Sequence, residues 1–273
     1  MGQYWTIINI DKRQTLGHEG KLGEWFFGSP NTLVDYLAVP PLTTVAPTHS
    51  VFVPSITGSW AGDRLICVGD SGDDVPKGIF NDDETREFAR MTQRETLGDI
   101  DPDGEDDEYE QYDLDYIDLY EVAGEYFEEN RMIRFERDGF ANDKVYILRN
   151  LTKREYVRHD AIMIYRDEFE GPYLINSVRG DRPGLGEVLL SRICWSSSTS
   201  ASMMYDYEGI GITRGAWSGD RFDIQMIDII EDSANWKDVS KEVVEKLFEI
   251  WTAQWEGESW KTNGREEDSE SEE

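Results

Sequence analysis

The chain has 273 residues, 38% of them hydrophobic and 12% aromatic, and a formal net charge of −30. That charge repels phosphate backbones and anionic lipid, which argues against nucleic-acid binding, and nine Trp argue against a disordered chain. No apolar run of 18 residues is present and no secretory signal opens the chain, so no transmembrane segment is expected and a cytoplasmic protein is.

In chain order, Trp5 to Ile10 is β-branched and aromatic and turns at Asn9-x-x-Lys12-Arg13, as a strand entering a hairpin does. Leu22, Trp25 and Phe26 fall at helical spacing. A Gly-rich turn, Gly58-Ser59-Trp60-Ala61-Gly62-Asp63-Arg64, then feeds a strand from Leu65 to Val68. Asp83 to Leu97 reads as a helix with Phe88 and Met91 on one face. Between Asp99 and Glu129 there are 15 acidic residues and no basic ones. Within that stretch Tyr109, Tyr112, Tyr116, Leu119, Tyr120, Ala123 and Phe127 recur at three- and four-residue steps, which predicts an amphipathic helix. Its like charges oppose an isolated helix, so it must be packed.

The second half repeats the first in order. Trp5–Gln14 matches Tyr146–Glu155, Leu22–Trp25 matches Leu185–Val188, and Gly58–Arg64 matches Gly215–Arg221 at five of seven positions. Chance can give one such match but hardly three in register. The second Gly-rich turn feeds a strand predicted from Phe222 to Ile230, which Asp223, Gln225 and Asp228 interrupt, as expected where one face is wet. A last helix is expected over residues 238 to 255, with Val239, Val243, Leu247, Phe248, Ile250 and Trp251 inward. The expected fold class is α+β: a duplicated strand-helix-strand unit in residues 1–76 and 144–255, an acidic helical insertion over 77–143, and a disordered acidic tail over 256–273.

Three stretches carry a resemblance. Trp-x-Ile-Ile-Asn-Ile-Asp-Lys-Arg at Trp5–Arg13, the turn Gly58–Arg64, and Val-Tyr-Ile-Leu-Arg-Asn-Leu-Thr-Lys-Arg-Glu-Tyr-Val-Arg at Val145–Arg158 resemble a group of uncharacterised proteins of mushroom-forming fungi. Single-unit bacterial proteins look similar. The resemblance spans most of residues 1 to 255, less of the acidic insertion and none of the tail; it implies the two-unit architecture and carries no mechanism.

Candidate chemistry is sparse. Asp63, Arg64, Asp220 and Arg221 follow the two Trp-x-Gly turns and would suit a polar ligand held by a carboxylate and a guanidinium. The simpler reading has each Asp cap its turn, each Arg pair elsewhere, and Trp60 and Trp217 pack as structural anchors. Asp99, Asp101, Asp103, Asp107 and Glu110 fall at calcium-loop spacing around Gly104. Pro102 inside that loop and the lack of a partner loop make weak calcium binding the most to expect, and no cofactor is otherwise expected. Gly2 fits an N-myristoylation pattern without a basic patch to support it. His18, His49 and His159 show no metal spacing. Cys67 and Cys194 both lie in apolar surroundings and read as buried thiols in a reducing compartment. The leading expectation is a non-enzymatic interaction protein that presents acidic and aromatic surface to a basic protein partner. The alternative is an enzyme or small-ligand binder with a cleft at the Trp-x-Gly-Asp-Arg turns.

Overall fold

The computed structural model describes residues 3–16, 20–28, 30–39, 57–72, 74–97, 112–130, 144–162, 183–198, 212–230 and 235–249. The proposed calcium loop, the acylation pattern at Gly2 and the acidic tail lie outside the described residues. The fold is α+β, with two mixed sheets. Among the described residues no helix is long and apolar enough to cross a membrane.

The first sheet is built on β1 (Tyr4–Asn9), which lies antiparallel to both β2 (Gln14–Leu16) and β4 (Leu65–Gly69). Short β3 (Gly20–Lys21) also pairs with β1. Its outer members, β5 (Glu128–Asn130) beside β2 and β8 (Cys194–Trp195) beside β4, are parallel additions from distant parts of the chain. The second sheet runs in the order β10 (Lys237–Asp238), β7 (Glu155–Arg158), β6 (Tyr146–Asn150), β9 (Phe222–Met226). Both hairpins close in the same way. Asn9 Oδ1 accepts from the Lys12 amide at 3.0 Å and Asn150 Oδ1 from the Lys153 amide at 2.9 Å. The following residue takes a left-handed backbone in each, at φ 53° for Arg13 and 55° for Arg154. An Asn side chain that mimics a backbone turn is what lets two residues with Cβ atoms sit there.

Strand alternation sorts the core. Trp5, Ile7, Leu65 and Cys67 point into one apolar cluster with Tyr146, Leu148, Phe222 and Ile224, so both halves of the chain share it. Helices α1 (Leu22–Gly28), α2 (Pro30–Leu37) and α5 (Leu185–Ile193, after α3 and α4 below) fill the same cluster. Ile8, Ile10, Ile66 and Val68 point the other way, against α3 (Asp82–Leu97) and α4 (Leu119–Tyr126). Both faces of the first sheet are therefore covered, which is why β1 and β4 read as nearly continuous apolar runs. The outer face of β6 and β9 carries a polar pair instead: Arg149 meets Asp223 through two hydrogen bonds of 2.8 and 2.6 Å, with the Trp236 ring 5.1 Å from the guanidinium.

Local chemistry sets the helix ends. Asn81 accepts from the Asp83 and Glu84 amides while Glu84 accepts from the Asn81 amide, a reciprocal cap that starts α3. The helix expected from Tyr109 onward begins only at Leu119. Asp113 accepts from the Asp115 amide and Asp118 from the Glu121 amide, so these carboxylates hold turns and a cap where the periodicity suggested helix. The strand expected to reach Ile230 ends at Met226, and Ile227–Ile229 form a 3-10 turn. The last helix occupies 240–249 of the described residues, and Lys237–Asp238 form a short strand in front of it.

One buried carboxyl is at odds with its surroundings. Asp35, on α2, is 6% exposed, and burial pushes its pKa up to about 7. A carboxyl whose folded pKa is raised favours folding below its unfolded pKa, and that advantage is lost as pH rises through the folded value. Asp35→Asn is therefore expected to stabilise the protein by up to about 4 kcal/mol at pH 8 and to change little near pH 4, read by chemical denaturation at the two pH values.

Candidate functional site

The two Gly-rich turns meet each other through main-chain bonds. Each opens against a helix: the Trp60 amide donates to Tyr36 O at the end of α2, and the Trp217 amide to Arg192 O at the end of α5, at 2.9 and 2.8 Å. In each the indole N–H reaches the hairpin residue that follows Arg13 or Arg154. Trp60 Nε1 donates to Gln14 Oε1 at 2.9 Å, and Trp217 Nε1 to Glu155 Oε2 at 2.8 Å. Both rings are buried, against Tyr36 and against the Arg192 guanidinium. Gly62 and Gly219 have φ of 90° and 79°, a backbone that residues with a Cβ rarely take. At Gly215 a Cβ would fall 2.3 Å from Arg192 O, so only glycine lets the second turn lie against the end of α5.

The turns then exchange main-chain bonds. The Gly62 amide donates to Phe222 O at 2.7 Å and the Gly219 amide to Leu65 O at 2.8 Å. The Leu65 amide donates to Asp220 O and the Phe222 amide to Asp63 O, at 3.1 and 3.3 Å, with Arg64 and Arg221 facing each other as an antiparallel bridge. The helix ends cross over as well. Ala38, after α2, bridges Ile224 in β9, while β8, after α5, pairs with β4. The Leu-Gly-Glu match holds at the helix starts, where Glu24 caps the Lys21 amide and Glu187 the Gly184 amide. In its contact with the turn, however, α5 stands where α2 stands.

Asp63 and Asp220 face their own hairpins. Asp63 accepts from Asn9 Nδ2 at 2.9 Å and lies 3.2 Å from Lys12 Nζ. Asp220 accepts from Asn150 Nδ2 at 2.7 Å and lies 3.0 Å from Lys153 Nζ. Each ammonium also donates to a turn carbonyl, Lys12 to Ser59 O and Lys153 to Ala216 O. These carboxylates thus tie turn to hairpin and leave no carboxylate–guanidinium pair within either Asp-Arg dipeptide.

Arg64 and Arg221 converge on Asp11. Arg64 donates to it from its amide and from Nε, both at 2.8 Å, and forks onto Glu84 at 2.6 and 3.0 Å. Arg221, nearly half exposed, donates Nη1 to Asp11 at 2.7 Å and to Gly62 O at 2.9 Å. Its own amide donates to Thr152 Oγ1 at 3.0 Å, where Arg64's amide has Asp11. Burial alone would raise Asp11, but hydrogen bonds from Arg64 and the two guanidinium charges outweigh it and hold the carboxyl below its ordinary value. The Arg64 hydrogen bond does the same for Glu84, and Glu84 in turn raises Arg64. Sequence reasoning missed Asp11 and Glu84. The signal for Asp11 was its pairing with a neutral Thr152 in an otherwise similar hairpin; nothing marked Glu84 beyond its place in a helix start.

Beside this network lies an open depression of about 470 Å³ lined by Arg64, Lys77, Asn81, Glu84, Ser218 and Arg221 among others. Three cations, Arg64, Lys77 and Arg221, and two carboxylates, Glu84 and Asp220, border it, and Asp11 and Glu84 already pair with the guanidiniums, which leaves Lys77 and the exposed part of Arg221 as the cationic groups open to a ligand. Among the described residues no group of three or more His, Cys, Asp or Glu is placed to hold a metal ion.

Two outcomes test this arrangement. Trp60→Ala and Trp217→Ala are each expected to cost about 3–5 kcal/mol in denaturant melts, since each removes a buried ring and strands a hydrogen-bond partner. Asp11 and Glu84, held low in the folded state, stabilise it above the ordinary carboxylate range and lose that contribution as pH falls through their lowered values. Stability is therefore expected to fall on acidification below about pH 4, and Arg64→Met to flatten that slope in melts recorded between pH 2 and 7.

No family model matches the chain, and neither the curated proteins nor the solved structures contain a significant match to it, so its chemistry is read from this geometry.

Proposed function

We propose that the protein is a non-enzymatic interaction protein that presents an acidic, aromatic surface to a basic protein partner. The observation that carries this reading is the surface of residues 112–130. Asp113, Asp115, Glu121, Glu125, Glu128 and Glu129 are exposed there, and the stretch has no Lys or Arg. Leu114, Tyr116 and Tyr126 are exposed among them, at 42%, 41% and 37%. Ring edges next to carboxylates suit the aliphatic stems and charged heads of Lys and Arg. The segment is held from behind: Gln93 bonds the backbone of Asp113 and Tyr116, Thr92 the amide of Asp118, and Ile117, Leu119, Val122 and Phe127 are buried against α3 and the sheet. A rigid backing lowers the ordering cost of binding.

The two halves we infer to be copies of one unit, facing each other about an approximate twofold axis through the Arg64–Arg221 bridge. Support comes from the ordered sequence matches, the equal hairpin geometry and the reciprocal main-chain bonds. On this reading the turns serve the fold, because Asp63, Asp220 and Arg64 spend their hydrogen bonds internally. A second reading, a small-anion site, is favoured by Lys77 in the depression and by the exposure of Arg221.

Affinity purification of the full chain separates the two. Proteins with Lys/Arg-rich segments should co-purify, elute at a few tenths molar salt, and be lost when Glu121, Glu125, Glu128 and Glu129 are all changed to Gln. Equal recovery by that variant at equal salt would overturn the proposal. Retention of a small anion that Arg221→Ala abolishes would establish the second reading in its place.

A further inference from the structure

The two cysteines stand side by side. Cys67 in β4 and Cys194 in β8 are register partners on neighbouring parallel strands, both fully buried and both free thiols. Neighbouring strands run about 4.8 Å apart, within the span of Cα separations that a disulfide bridges. Same-register side chains point to the same face, so the two sulfurs share one side of the sheet. The reciprocal crossing in the other half pairs Ala38 with Ile224, so this position requires only small or aliphatic packing; the sulfur pair occurs at one of the two crossings.

We propose that Cys67 and Cys194 are a latent disulfide that closes on exposure to a peroxide and clamps the end of α5 to the first sheet. β8 is only two residues long and is held on its outer side by a single bridge to Arg214 and two flanking main-chain bonds, so local opening of this short segment admits a small oxidant and lets the two sulfurs close. The Cys194 thiol donates to Leu190 O at 3.1 Å, and burial, with the neighbouring Cys67, pushes it well above its ordinary value. The Cys67 thiolate attacks one peroxide oxygen, the O–O bond breaks, and hydroxide leaves to take up a proton as water. Cys194 sulfur then displaces hydroxide from the Cys67 sulfenic acid, its proton leaving with that hydroxide as a second water. Two thiols give up two electrons and the peroxide receives them.

The consequence falls on the second turn. The Gly215 amide donates to Cys194 O at 2.7 Å, and the Trp217 amide to Arg192 O two residues before it. A covalent link at Cys194 thus fixes the backbone on which the Trp217 turn hangs, and through it the exchange with the first turn.

The test uses the folded, reduced full chain treated with hydrogen peroxide. The expected result is a monomer lighter by about 2 Da, a Cys67–Cys194 linked peptide in a non-reducing digest, a melting temperature raised by about 5 °C or more, and reversal of all three by dithiothreitol. Cys67→Ala and Cys194→Ala should each abolish the link and the rise; because the link is read on the wild-type chain, a variant that folds poorly does not decide the matter. Thiols that stay free while peroxide oxidises a peptide thiol in the same tube would overturn the proposal. So would sulfinic or sulfonic products, a link formed only between chains or only in denaturant, or a link that leaves the melting temperature unchanged.

Discussion

A turn packed against another segment must find partners for the peptide groups the contact shields, and here each Gly-Asp-Arg segment is the partner of the other. Gly62, Leu65, Gly219 and Phe222 donate across the junction to carbonyls of the opposite turn or of the strand residue just after it. Without this exchange the groups on the buried residues Leu65, Asp220 and Phe222 would be left unpaired, at a cost on the order of 1–3 kcal/mol each. The two halves also share one apolar cluster, which takes Trp5, Leu65 and Trp60 from the first and Leu148, Phe222 and Trp217 from the second.

The charged groups around the junction follow from that arrangement. Bringing two arginines together on facing strands would be repulsive, and Asp11 answers both of them at once. Glu84 adds a second carboxylate on the Arg64 side, where α3 crosses; Arg221 has Thr152 at its amide and stays open to solvent. The result is a tightly filled side and an open side, and the depression lies along their boundary. Acidic residues in the stretch from 112 to 130 do different work: Asp113 and Asp118 fix turns and a cap, and the rest face outward on a backing of apolar contacts with α3 and the first sheet.

The sequence by itself determined the α+β class, the hairpins at Asn9 and Asn150, the helices from Leu22, Asp83 and Leu185, and the burial of both tryptophans and both cysteines. These follow from local rules: strand and helix periodicity, the Asn-x-x-Lys-Arg turn, and the apolar character of the flanking residues. It misled where polar side chains compete with the backbone, as Asp113 and Asp118 do in shortening the aromatic-striped helix to Leu119–Tyr126. Only the tertiary structure decided what the Asp-Arg pairs do, because neighbouring residues point apart and their partners lie far away in the chain: Asn9 and Lys12 for Asp63, Asp11 and Glu84 for Arg64. It alone decided that strands β5 and β8 join the first sheet and that Cys67 lies beside Cys194. Pairing between parallel strands leaves no turn or spacing in the sequence to announce it, since the partners are brought together by the packing of everything between them.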